Sequence, residues 1–89
     1  MALQKSYYEP NLEVEVPDCY WKITRLRGDK KKIEFNLGVF RNKERADAGI
    51  IIDEFLYEFA PDLESSDNFI AQAYNRLKTL PEFESSEDV

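Results

Sequence analysis

The chain reads as an α+β domain, a four-stranded antiparallel β-meander with one C-terminal α-helix packed on one face. Three patterns predict this. Ile33, Phe35, Leu37 and Val39 fall at every second position of 31–40, the period of a strand with one buried face. Phe69, Ile70, Ala73, Tyr74, Leu77 and Leu80 recur at steps of three and four, the stripe of a helix that buries against a sheet. The strand-like runs all precede the helix, without an internal repeat, an order that packs as two layers.

Taken in order, residues 1–10 are expected to form an N-terminal arm, 11–81 the core of a single domain and 82–89 an acidic C-terminal arm. Leu12, Val14 and Val16 alternate with Glu13 and Glu15 between Pro10 and Pro17, which reads as a short, half-exposed first strand. Cys19, Trp21 and Ile23 share one face of a second strand over 19–27, and 31–40 is the third. Gly28 and Asp29 look like a two-residue hairpin turn, but that register would set Lys22 opposite Phe35 and turn the apolar faces apart. An odd loop or a bulge repairs the mismatch. Three loop residues, 28–30, pair Ile23 with Phe35 and Trp21 with Leu37.

Residues 41–49 are polar apart from alanines and read as a long loop, a common place for binding. A fourth strand over 49–59 carries Ile51, Phe55, Tyr57 and Phe59 on one face, interrupted by Asp53, with Ile50, Ile52 and Leu56 on the other. Apolar residues on both faces predict a central or doubly covered strand. Ser66 or Asp67 is expected to cap the helix, and Pro81 to stop it.

Charge is strongly segregated. Residues 1–21 carry −3, 22–45 carry +6 and 46–89 carry −9, within a net charge of −6. Opposite charges on different segments allow complementary contacts between copies or with a polar partner. The candidate contact residues are Lys22, Arg25, Arg27, Lys30, Lys31, Lys32 and Arg45 on one side, and Glu82, Glu84, Glu87 and Asp88 on the other.

Other classes of function fare worse. Without histidine, with one cysteine and with no glycine-rich phosphate loop, the common nucleophile and base pairs cannot be assembled. Asp53 and Glu54 are adjacent in a strand and point to opposite faces, so they cannot share a substrate. Neither a cofactor nor a metal site is expected, and the reading is non-enzymatic. Clustered Lys/Arg suits phosphate, but the aromatics fall on core faces and the acidic half repels a polyanion, which argues against nucleic acid. No stretch approaches the roughly 20 apolar residues of a membrane span, so the expectation is a soluble protein made in a reducing cytoplasm, with no membrane partner and no small-molecule substrate. Arg27-Gly28-Asp29 resembles the integrin-recognition tripeptide, yet Gly and Asp are ordinary turn residues and the turn reading is preferred.

The segment 57–83 resembles the C-terminal part of small uncharacterised proteins from the tail-gene regions of tailed bacteriophages. The likeness rests on Asp67, Asn68, Phe69, Ile70, Gln72, Ala73, Tyr74, Leu77, Lys78, Thr79, Leu80, Pro81, Glu82 and Phe83, and covers about a third of the chain. It implies a structural component of the virion, in the tail or its tip, that meets itself or other phage structural proteins. Segregated charge fits subunits joined head to tail, which need two different complementary surfaces. The alternative is a small soluble adaptor that binds a protein partner through the same hairpin.

Overall fold

In the computed structural model, which describes residues 2–89, the chain forms an α+β fold with five strands and two α-helices. The strands are β1 (Leu3–Glu9), β2 (Val14–Gly28), β3 (Ile33–Phe40), β4 (Asp53–Phe59) and β5 (Glu87–Asp88). The helices are α1 (Lys43–Asp47) and α2 (Phe69–Lys78). All strand pairs are antiparallel, in the order β4-β3-β2-β1-β5.

The first correction lies at the N-terminus. Residues 3–9 are no arm but a strand inside the sheet, with Leu3 and Tyr7 in the core. Lys5 sits between them on the same face and masks the alternation. Its Nζ lies 4.7 Å from the Trp21 ring centroid and 5.3 Å from that of Phe83, so the stem lies among rings while the charge rests on their faces. The expected strands at 12–16 and 19–27 merge into one strand, β2, which starts at Val14, with Leu12 and Glu13 left in the preceding turn. Pro17 does not end it, because two residues, Pro17 and Asp18, oppose Ser6 alone in a bulge where Asp18 takes φ 54°.

The β2–β3 hairpin keeps the predicted faces by another route. Gly28 pairs with Ile33 around a four-residue connection, and Ile23 pairs with Leu37 rather than Phe35. Thr24 is the extra residue of a bulge between Ile23 and Arg25. That one insertion keeps Trp21, Ile23 and Leu26 all on the side of Phe35, Leu37 and Val39, which an unbroken strand could not do. Beside the bulge, the Ile23 N–H donates to Tyr74 Oη at 2.9 Å, tying α2 to the sheet.

β4 begins at Asp53 and is an edge strand, not a central one. Ile51 instead covers the sheet's outer face beside Phe40. A Cβ on Gly38 would lie 2.8 Å from the Phe40 ring and 3.1 Å from Ile51 Cδ1, so a side chain there would displace them. The expected loop at 41–49 contains α1, capped by Asn42 Oδ1 accepting from Arg45 N–H at 2.9 Å.

The cap of α2 is Asn68, whose Oδ1 accepts from Ala71 N–H, rather than Ser66 or Asp67. Ala73, Tyr74 and Leu77 are buried, while Phe69 and Ile70 stay exposed. The helix ends at Thr79 and the chain turns through a short 3-10 helix, Pro81–Phe83. Because β4 and β5 lie at opposite edges, the chain must cross the sheet's width of about 19 Å, four spacings of about 4.8 Å. The ten residues of α2 span about 15 Å of this. The expected acidic arm thus returns to its own sheet. Phe83 is buried, β5 pairs with Leu3 and Gln4, and the Val89 N–H donates to Ala2 O.

The core lies between the sheet and α2 and is largely aromatic. Trp21 packs edge-on against Tyr7 and Phe83 and stacks on Phe55, while Phe35 stacks on Tyr57. The opposite face of the sheet is largely polar over its middle, with Phe40 and Ile51 packed together at one end and Leu56 exposed on the edge strand.

Candidate functional site

The polar face owes its layout to the Thr24 bulge. Lys22 is an even-numbered residue and Arg25 and Arg27 are odd-numbered, so a regular strand would point them to opposite sides. The bulge brings all three to the outer face. There they open three cross-strand rows over β2, β3 and β4: Lys22–Gly38–Glu54, Arg25–Asn36–Leu56 and Arg27–Glu34–Glu58. Cations therefore form a column on β2, and acids flank an exposed leucine on the edge strand.

The rows are linked by exposed polar contacts. Arg27 reaches Glu34 at 3.4 Å and donates to Asn36 Oδ1 at 3.0 Å. Asn36 Nδ2 donates to Glu54 at 2.7 Å, and Thr24 Oγ1 to the same carboxylate at 3.3 Å. Lys32 lies within 3.5 Å of Glu34 and 3.4 Å of Glu58, and these carboxylates, Glu58 foremost, raise its ammonium pKa. Solvent screens such pairs, so they order the surface more than they stabilise the fold.

At the hairpin tip, Asp29 Oδ1 accepts from the Lys31 and Lys32 N–H groups at 2.8 and 3.1 Å, bonds that hold its carboxyl below the usual range. Gly28 has φ 145°, and a Cβ there would sit 2.2 Å from Lys32 O. Gly28 and Asp29 thus have structural roles in the turn, as preferred for the tripeptide. Lys30 and Lys31 stand exposed at the tip. Arg45 is exposed on α1, toward the other end of the β3 strand.

Of the four predicted acids, only Asp88 forms an ion pair among the described residues, with Lys78 at 2.8 Å. Glu87 pairs with Gln4 in the sheet, and Glu82 and Glu84 are exposed beside Phe83. The acids and the hairpin cations are not brought together within one molecule. β5 lies beside Leu3, level with Trp21 and Val39, whereas the hairpin tip lies beyond Gly28 and Ile33.

Asp53 and Glu54 face opposite sides, as their adjacency predicts. Glu54 joins the polar face, while Asp53 accepts a hydrogen bond from Tyr7 Oη. That bond, with burial adding to it, pushes the Tyr7 phenol up to about 12. Sequence reasoning missed this pair because the two residues are 46 positions apart, and the one available signal was an acid interrupting an apolar face. Burial raises the Cys19 thiol pKa, which disfavours the reactive thiolate. Among the described residues no group of three or more His, Cys, Asp or Glu is placed to hold a metal ion, and no helix is long and apolar enough to cross a membrane. Comparison with protein-family models, with curated proteins and with solved structures returns no match.

Proposed function

We propose that the chain is a non-enzymatic structural subunit of a tailed-phage particle, in its tail or tail tip, assembling through charge-complementary contacts between copies. The observation that carries this reading is the separation of two unlike surfaces. Lys30 and Lys31 stand at the hairpin tip beyond Gly28 and Ile33, with Arg25 on the outer face below them, whereas Glu87 lies on β5 level with Gln4 and Tyr20 and Glu84 is exposed just ahead of it. Unlike surfaces far apart on one subunit join copies head to tail, which closes rings or extends filaments. Asp88, engaged by Lys78, contributes less to this contact than its sequence position implies. The likeness of 57–83 to phage tail-region proteins supports the location in a virion.

Truncating the tail is a poor test because Phe83 and β5 belong to the fold. Charge reversal at exposed positions is better. Lys30→Glu with Lys31→Glu should lower the mass measured by light scattering at about 0.1 M salt, as should Glu84→Lys with Glu87→Lys. Mixing the two variants should partly restore it. Raising salt to about 1 M, which shortens the screening length from about 10 Å to about 3 Å, should dissociate the native chain. A single-chain mass at both salts would overturn the assembly and leave the adaptor alternative.

A further inference from the structure

The edge strand β4 pairs only with β3 among the described residues. Every second residue along it therefore turns its N–H and C=O away from the sheet. Natural edges of this kind are guarded by charged side chains, lysine above all, by inward-pointing charges, by proline or by a bulge. β4, with the sequence DEFLYEF, has no lysine or proline and a regular register, and its charges are all acidic, Asp53 turned inward to Tyr7 and Glu54 and Glu58 on the outer face. Leu56, 60% exposed, stands on the outer face between Glu54 and Glu58, and Ile50, Ile51 and Ile52 are exposed just ahead of the strand. From residue 46 to 75 the chain has seven Asp/Glu and no Lys/Arg.

We infer that the free edge of β4 binds an extended basic segment of a partner protein by strand addition. Main-chain hydrogen bonds would supply affinity and alternate side chains specificity. Charge selects the occupant. Two β4 strands paired antiparallel about Leu56 would set each Glu54 opposite the other's Glu58 on one face, and like charges directly opposite are destabilising. The far edge of a second copy fits no better, since β5 offers Glu87 and Asp88 and the Lys5 of β1 is held over Trp21 and Phe83. The basic strand β2 and its partner β3 are interior. The fitting segment places cation, apolar residue and cation at alternate positions against Glu54, Leu56 and Glu58, with β-branched residues between them toward Phe55 and Tyr57. Glu54 already accepts from Asn36 and Thr24, and Glu58 from Lys32, so the new cations would add to carboxylates held in position. This inference does not depend on assembly between copies.

The test titrates the isotope-labelled full chain with an acetylated peptide containing lysine-valine-leucine-valine-lysine, followed by amide chemical shifts. Shifts should concentrate on 53–59 and adjoining β3, and affinity should fall about tenfold or more from about 0.1 to about 1 M salt. Proline in place of the central leucine, or glutamates in place of the lysines, should abolish binding. Leu56→Lys, at an exposed position, should weaken it about tenfold with the rest of the spectrum retained. The proposal is overturned by shifts at the β2–β3 hairpin instead, by equal binding of the glutamate peptide, or by no shifts at low salt. Self-association of the free chain that Leu56→Lys dissolves would equally overturn it, by making a second copy the occupant.

Discussion

Tyr7 and Asp53 couple the strand that begins the sheet to the strand at its far edge, and the coupling has a pH signature. The hydrogen bond to Asp53 pushes the folded phenol up to about 12 from the ordinary tyrosine value of 10.0, so the fold favours the neutral form. Its contribution is fully present below pH 10 and is lost as pH rises through about 12. Phenolate absorbance should show one tyrosine titrating near the upper value, and Asp53→Asn should bring it down toward 10. Gly28 is constrained by geometry instead. A methyl group there meets the Lys32 carbonyl and Ile33 Cα, so Gly28→Ala should lower the unfolding free energy by about 3 kcal/mol in urea titrations. The turn residues at this hairpin were readable from the chain; the left-handed demand on Gly28 and the exact pairing were not, because a bulge four residues upstream shares in setting the register.

Among the elements, the C-terminal segment departs furthest from its local composition. Six of the eight residues in 82–89 are Glu, Asp or Ser, the composition of a disordered tail. Yet Phe83 is 2% exposed and touches Trp21 and Tyr57 edge-on. Phe83→Ala should therefore cost about 3–5 kcal/mol. Ending the chain after Phe83 should cost less, since it removes a two-residue strand and an exposed ion pair while leaving the aromatic anchor. Equilibrium unfolding of both variants checks the ranking. One aromatic among acids is a weak signal, and only the distance α2 travels across the sheet shows that it reaches the core. β4 was misjudged as central for a related reason. Its two-sided apolar pattern is real, but Ile50 and Ile52 precede the strand, and Leu56 is left bare on its outer face.

For the molecule as a whole, segregated charge acquires a spatial meaning: a cationic column and tip, an acidic edge along β4, and an acidic end beside β5. The alternation in β3 and the Ala73, Tyr74 and Leu77 part of the α2 stripe were legible without coordinates, because strand and helix periods are local. So were the antiparallel, two-layer class and the opposed directions of Asp53 and Glu54. The last residue of the helix itself is Lys78, ahead of Pro81, and Phe69 and Ile70 of the stripe stay exposed. Tertiary structure decided the rest. It drew Leu3–Glu9 into the sheet around a lysine that rests on Trp21, gathered Lys22, Arg25 and Arg27 onto one face through an unpaired Thr24, and folded the acidic end back against β1. Each outcome depends on which distant strand or ring lies opposite a residue, and no local period encodes that.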